Sequence, residues 1–154
     1  VGVCVDTDNN IALLEDALTM TKMLAPWAIS CHLKDMAVEE SRDGFLLSEV
    51  PLGTGLLDLS KISEVLKKAN PQIRFSLEMI TRDPLRIPCL SDKYWATFPK
   101  VSGRELARTL TWVRKNQPKT PLKRISKLST EKQLELEEAN VLSSLRYVNE
   151  NLKL

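Results

Sequence analysis

A chain of 154 residues, 43% hydrophobic and 27% charged, has the size and composition of one folded globular domain, which excludes a largely disordered or low-complexity protein. Its 22 Lys and Arg against 20 Asp and Glu leave a formal net charge of +2, too small a surplus to bind nucleic acid or a membrane surface by electrostatics. No apolar run reaches the roughly 20 residues of a membrane helix, no signal-peptide pattern opens the chain, and Cys4, Cys31 and Cys89 form no CxxC pair, so a cytoplasmic protein is expected rather than a secreted, disulfide-stapled one.

Residues 1–6 are an apolar, β-branched run that reads as a strand with no cap or turn before it, as though the chain starts inside a fold. Asn10 is placed to cap a helix whose apolar positions Ile11, Leu14, Ala17 and Leu18 recur at three and four, closed by Pro26. Residues 29–35 read as a second strand. A loop with Gly53 and Gly55 then leads to Asp58, the cap of a helix with Ile62, Val65, Leu66 and Ala69 on one face, ended by Asn70-Pro71. Residues 73–80 read as a third strand. Strands alternating with helices predict parallel βα units in an α/β fold, buried on both faces, and disfavour antiparallel hairpins. Residues 82–99, with Arg82-Asp83-Pro84, Pro88, Tyr94-Trp95, Phe98 and Pro99, read as a long irregular loop whose aromatics pack onto the fold or cover a ligand.

Ser102 and Glu105 form a capping-box signature for a helix carrying Leu106, Leu110 and Val113 to about residue 116. From Leu106 to Thr130 there are seven basic residues and no acidic one, a solvated linker face by preference over a phosphate site. Thr130 and Gln133 form a second capping box. Leu134, Val141, Leu145, Val148 and Leu152 then make a stripe expected to pack on the fold or on a partner chain. Two regions are expected: the βα series over 1–116, and a basic linker with a C-terminal helix over 117–154.

Side chains alternate along a strand, so Cys4 shares a face with Asp6, Ser30 and His32 with Lys34, and Arg74 and Ser76 with Glu78. Each strand therefore sends one metal-ligating group from near its C-terminal end: Asp6, His32 and Glu78. In a closed βα barrel those ends share one mouth. One imidazole and two carboxylates suit a divalent ion such as Mn²⁺, Mg²⁺, Co²⁺ or Zn²⁺. A strand that only filled a core would have no need of such a polar cluster, because burying an unpaired charge costs several kcal/mol.

Four blocks carry a resemblance: Gly2-Val3-Cys4-Val5-Asp6-Thr7-Asp8-Asn9, Cys31-His32-Leu33-Lys34-Asp35, Pro51-Leu52-Gly53-Thr54-Gly55 and Leu77-Glu78-Met79. In that order, over about residues 1–110, the chain resembles the sugar phosphate isomerase/epimerase family of xylose-isomerase-like TIM barrels. The resemblance implies the C-terminal part of a (β/α)8 barrel, about three βα units that would be the sixth to eighth, preceded by about five more. It implies a metal held by Glu, Asp, His and Glu, the last three matched by Asp6, His32 and Glu78 and the first lying upstream of Val1. Glu78 would also be one half of an acid/base pair, and Lys34 would polarise or neutralise a substrate oxygen beside Asp35. From its own position after the third strand, Arg82 is expected either to pair with Asp83 at the surface or to clamp a phosphate or carboxylate bidentately. Asn9, where several epimerases carry a second histidine, would face the substrate, and Thr54 replaces a frequent Glu. The expected activity is metal-dependent isomerisation or epimerisation of a sugar, sugar phosphate or related polyol, with no nucleic-acid or membrane partner and with homo-oligomerisation open. Two alternatives stand beside it: an endonuclease-IV-like metal hydrolase, which needs more histidines than this segment's one, and a non-catalytic, truncated binding module using the Leu134 to Leu152 stripe.

Overall fold

The computed structural model describes residues 1–96, 102–152 and 154, so Phe98 and Pro99 lie outside the described residues. The described strands are β1 (Val3–Asp6), β2 (Ala28–Leu33), β3 (Asp35–Ser41), β4 (Gly44–Val50), β5 (Arg74–Leu77) and β6 (Leu85–Ile87). The helices are α1 (Ala17–Leu24), α2 (Leu59–Ala69), α3 (Asp92–Trp95), α4 (Gly103–Lys115) and α5 (Thr130–Tyr147). Two three-stranded sheets result, one parallel in the order β1-β2-β5 and one antiparallel in the order β3-β4-β6.

The parallel sheet, with α1 and α2, is the mixed α/β unit expected from the sequence. Val5, Cys31 and Leu33 meet Leu59, Ile62 and Leu66 of α2 in one buried cluster. Each such aliphatic side chain contributes roughly 1.5–3 kcal/mol by leaving water. α2 starts where Asp58 accepts the Lys61 amide at 3.0 Å and stops at Asn70 before Pro71, with Lys67 and Lys68 at the negative end of its dipole. The strands are not buried on both faces, because Ile29 is 57% exposed and Cys4 is also exposed.

The first helix begins later than Asn10. Residues Asn9–Leu13 form a 3₁₀ turn, Leu14 takes a left-handed conformation at φ 64°, and Asp16 caps α1 by accepting the Thr19 amide at 2.8 Å. The stretch from 35 to 50 is a hairpin, not a loop: β3 and β4 pair from Asp35↔Val50 to Ser41↔Gly44, and β6 adds to β4 out of what the sequence presents as irregular chain. Gly44 sits at φ 146°, and a Cβ there would collide with the Ile87 carbonyl, so only glycine lets β6 approach. Val38, Phe45, Leu47 and Ile87 pack against Leu110 and Val113 of α4 in a second core. Tyr94 and Trp95 join that core, as a T-shaped pair with centroids 5.2 Å apart.

Ser102 precedes α4 without a side-chain cap bond, and the cap of α5 is Ser129, which accepts the Lys132 amide at 3.4 Å, rather than Thr130. α5 packs on this chain through its C-terminal part. Tyr147 and the π turn that follows (Val148–Leu152) reach the first core, while Leu134 and Leu145 remain exposed. No helix among the described residues is long and apolar enough to cross a membrane.

The linker before α5 is pinned by Asp83, whose carboxylate accepts the Ser126 hydroxyl at 2.6 Å and the Ser126 amide at 2.8 Å. Those bonds, the hydroxyl first, hold its pKa below the ordinary Asp value. The folded value lies below the unfolded one, so the clamp is intact above the ordinary value and is lost as pH falls through the folded value. A fall in the protection factor of the Ser126 amide, relative to its intrinsic exchange rate, on acidification, absent in Asp83→Ala, is the expected result.

Candidate metal centre

Parallel register sets the site. Asp6 pairs with His32 across β1 and β2, His32 pairs with Ser76 across β2 and β5, and the Glu78 amide extends the ladder by donating to the Leu33 carbonyl at 3.1 Å. Asp6, His32 and Glu78 thus leave one end of one sheet, and one ligand atom from each lies within 4.8 Å of the others. His32 Nδ1 is 2.7 Å from Glu78 Oε2, and all three side chains are partly exposed, as a centre open to a ligand requires.

Lys34 is the fourth member. Its side chain is 4% exposed, with Nζ 2.7 Å from Glu78 Oε1, 3.1 Å from Asp6 Oδ2 and 3.8 Å from Asp8 Oδ1. It does not pair with Asp35, because adjacent residues point to opposite sides of an extended chain. Burial pushes the Lys34 ammonium toward neutrality, but the Glu78 hydrogen bond, the Asp8 charge and the Asp6 contact outweigh it, and its pKa stands above that of an ordinary lysine. Burial acts to raise Asp6 too. The Asp8 side chain, the Asn9 and Asp8 amides and Lys34 nonetheless hold Asp6 below the usual value.

Asp8 is the site residue that periodicity does not reveal; its one signal is the polar run 6–9 directly after an apolar strand. It is 1% exposed, its Oδ2 is buried without a hydrogen-bond partner, and burial followed by the contact with Asp6 pushes its carboxyl up to about 8. Thr7, fully buried, ties the same segment to β2: its hydroxyl oxygen accepts the Lys34 amide at 2.9 Å and lies 3.0 Å from the Lys34 carbonyl. The Asp6 and Glu78 carboxylates face one ammonium here, and beside them the Asp8 carboxyl keeps one oxygen orphaned. That surplus of negative charge and the mixed O/N donor set fit a divalent cation.

Lys34 competes with such a cation for the same oxygens. Lys34→Met is expected to lower the thermal stability of the metal-free protein by about 2 kcal/mol, between the values for exposed and fully buried ion pairs. The same change should tighten Mn²⁺ binding at least about 10-fold by removing a like charge. Thermal melts with and without Mn²⁺ read both effects.

Of the other candidates, Asn9 is brought to the site, its side-chain oxygen 3.4 Å from Lys34 Nζ. Arg82 is held instead by Glu49, at 3.2 Å, and not by Asp83. The glycine loop serves the fold. Asp35 accepts the Met36, Gly53 and Gly55 amides, each at 2.9 Å, and that of Leu57 at 3.1 Å, and Tyr147 lies over Gly53. A Cβ on Gly55 would collide with the Asp35 carboxylate, and Gly53 sits at φ 81°, so both glycines are required by this turn. Burial nevertheless outweighs the four amides and leaves the Asp35 carboxyl above its ordinary value. Tyr94 and Trp95 donate to the Ala12 and Cys89 carbonyls at 2.6 and 2.9 Å, the bonds of a packed loop.

Over 69 residues, 44% of its length, the chain is 33% identical to a 3-oxo-isoapionate decarboxylase of Pectobacterium atrosepticum. The chain spans about a quarter of the length of that curated relative, 25%. No family model and no solved structure matches the chain.

Proposed function

We propose that Asp6, His32 and Glu78 hold a divalent metal in an isomerase or epimerase that moves a proton next to the carbonyl of a sugar, sugar phosphate or related polyol. The observation that carries this is the convergence of one imidazole and two carboxylates from the C-terminal ends of three adjacent parallel strands. We take those strands to be the last three of a (β/α)8 barrel, the fold whose catalytic groups gather at that end.

When bound, the metal acts as a Lewis acid that lowers the cost of negative charge on the substrate's oxygens. Glu78, with its second carboxylate oxygen 2.7 Å from His32 Nδ1, accepts or returns the proton on carbon, and His32 fixes the direction in which that carboxylate points. The Lys34 ammonium, clamped between Asp6 and Glu78, meets charge developing on the substrate. Asn9 beside it offers an amide to a hydroxyl, and Arg82 binds a terminal carboxylate or phosphate.

The likeness to a decarboxylase favours a second reading, loss of CO₂ from a 3-oxo sugar acid. Removing a proton next to a carbonyl and removing CO₂ from a 3-oxo acid both leave an enolate, so one electrophilic site serves either. The hydrolase alternative has less support, since the metal-ligating group among the described residues contains one imidazole.

The test uses the full-length natural protein with Mn²⁺ in D₂O, with ketoses, ketose phosphates and 3-oxo sugar acids as substrates. Deuterium appearing next to the carbonyl supports the isomerase reading, CO₂ release supports the second, and cleavage of abasic DNA without either defeats both. Glu78→Gln should lower turnover at least about 100-fold, the range of a general acid/base residue.

A further inference from the structure

We infer that a second cleft in this chain binds an oxyanion, the carboxylate or phosphate end of the molecule whose carbonyl end the metal centre takes. The inference rests on the metal-enzyme reading above. The cleft, about 270 Å³, lies between the end of β4, the linker around residues 118–125 and α5, and its walls include Glu49, Thr54, Thr81, Arg82, Lys123 and Asn140.

Its charge is set by three groups. The Glu49 side chain is 3% exposed and fully engaged: Oε2 accepts the Ile80 amide at 2.7 Å and Oε1 faces Arg82 at 3.2 Å. One carboxylate therefore stands against two cations. The Arg82 side chain is 55% exposed and meets Glu49 through Nη2, which leaves the rest of its five N–H donors for a planar anion. Lys123, one of the seven basic residues that the sequence presents as a solvated linker, is exposed and makes no ion pair among the described residues. Between them, Thr81 accepts the Asn140 amide at 3.0 Å on its hydroxyl oxygen, so its own hydrogen is available to a further acceptor. A pocket that pairs surplus positive charge with hydroxyl donors selects an oxyanion over a cation or an apolar group.

Position ties the cleft to the metal centre. Glu78 and Arg82 are four residues apart, so their backbones are at most about 14 Å from one another even fully extended. The Ile80 amide between them is the group that anchors Glu49. Volume agrees: the cleft is at the small end for ligand sites, matched to one charged end of a substrate and not to a polymer.

The test is an NMR titration of the ¹⁵N-labelled full-length natural protein with inorganic phosphate, with D-gluconate and with neutral D-glucitol, alongside a separate Mg²⁺ titration. Phosphate, gluconate or both should shift the Thr54, Thr81 and Lys123 amides saturably, and the stronger of the two names the anionic group. Glucitol should leave those amides unmoved. Lys123→Ala, at an exposed position, should weaken anion binding about 10-fold, the worth of one charge-assisted hydrogen bond, and Arg82→Ala should do the same. Absence of a saturable shift, an equal response to glucitol, or undiminished affinity in Lys123→Ala overturns the cleft. Mg²⁺ shifts at Thr7, Leu33 and Glu78 without an anion response overturn the cleft and leave the metal reading standing. An anion response without Mg²⁺ shifts overturns the metal reading, and with it the assignment of this cleft to that substrate.

Discussion

Replacing His32 by alanine is expected to weaken Mn²⁺ binding at least about 100-fold. Changes in groups that merely orient metal ligands already cost 10–100-fold, and His32 is one of three direct ligands in the proposed centre. The variant should remain folded, because the His32 side chain is 45% exposed and its one close ionisable partner is Glu78. Its loss leaves only the Asp6 and Glu78 carboxylates, both already held by the Lys34 ammonium at 3.1 and 2.7 Å, to attract a second cation. Isothermal titration calorimetry measures this directly. A second readout is thermal: at 100 times its dissociation constant a ligand adds about 2.7 kcal/mol of stability, a gain the wild type should show and His32→Ala should not. An affinity for Mn²⁺ within a few-fold of wild type in the variant would mean that Asp6, His32 and Glu78 do not act as one centre.

The second large effect concerns the fold beneath the site. Asp35→Ala removes the acceptor for four backbone amides at once, those of Met36, Gly53, Gly55 and Leu57. A buried donor left without an acceptor costs about 1–3 kcal/mol, and the loop will relax some of the four toward water, so a net loss of about 3–5 kcal/mol is expected. Asp35→Asn should rescue little, since its amide group would face donors with another donor. The midpoint of urea denaturation reports the change, and an unshifted midpoint in both variants would show that the loop holds itself. Because Asp35 adjoins Lys34, the alanine variant should also loosen the ammonium from Asp6 and Glu78.

The parallel strands and the convergence of Asp6, His32 and Glu78 were legible because each rests on a short-range rule: β-branched runs bounded by turns, and alternation that puts those three residues at strand ends. The hairpin carried a signal as well, Asp43-Gly44 at the tip of two apolar runs, but the βα alternation on either side argued for a plain connection. The Asn10 cap was misplaced because the left-handed Leu14 breaks the helix period, and a left-handed leucine is costly enough that no propensity rule anticipates it. Its carbonyl is held from a distance by Arg108 at 3.0 Å and Thr109 at 3.3 Å. Gly53 and Gly55 were visible as a motif, yet their partners, Asp35 and Tyr147, come from residues 18 and more positions away. Asp8 was hidden for the same reason. Its burial depends on Lys34, which only the strand pairing brings near.

β2 passes into β3 through the single residue Lys34, so the two sheets share one uninterrupted thread of chain. Such a joint has no slack. An insertion at the Arg42-Asp43 tip disturbs only the contacts of Asp43 with Arg86 and the Leu90 amide, far from the site, but one residue added between Leu33 and Asp35 would turn the ammonium to the opposite face and carry the Asp35 carboxylate away from its four amides. Natural variation in chain length is therefore expected at the tip of this hairpin and forbidden at its root.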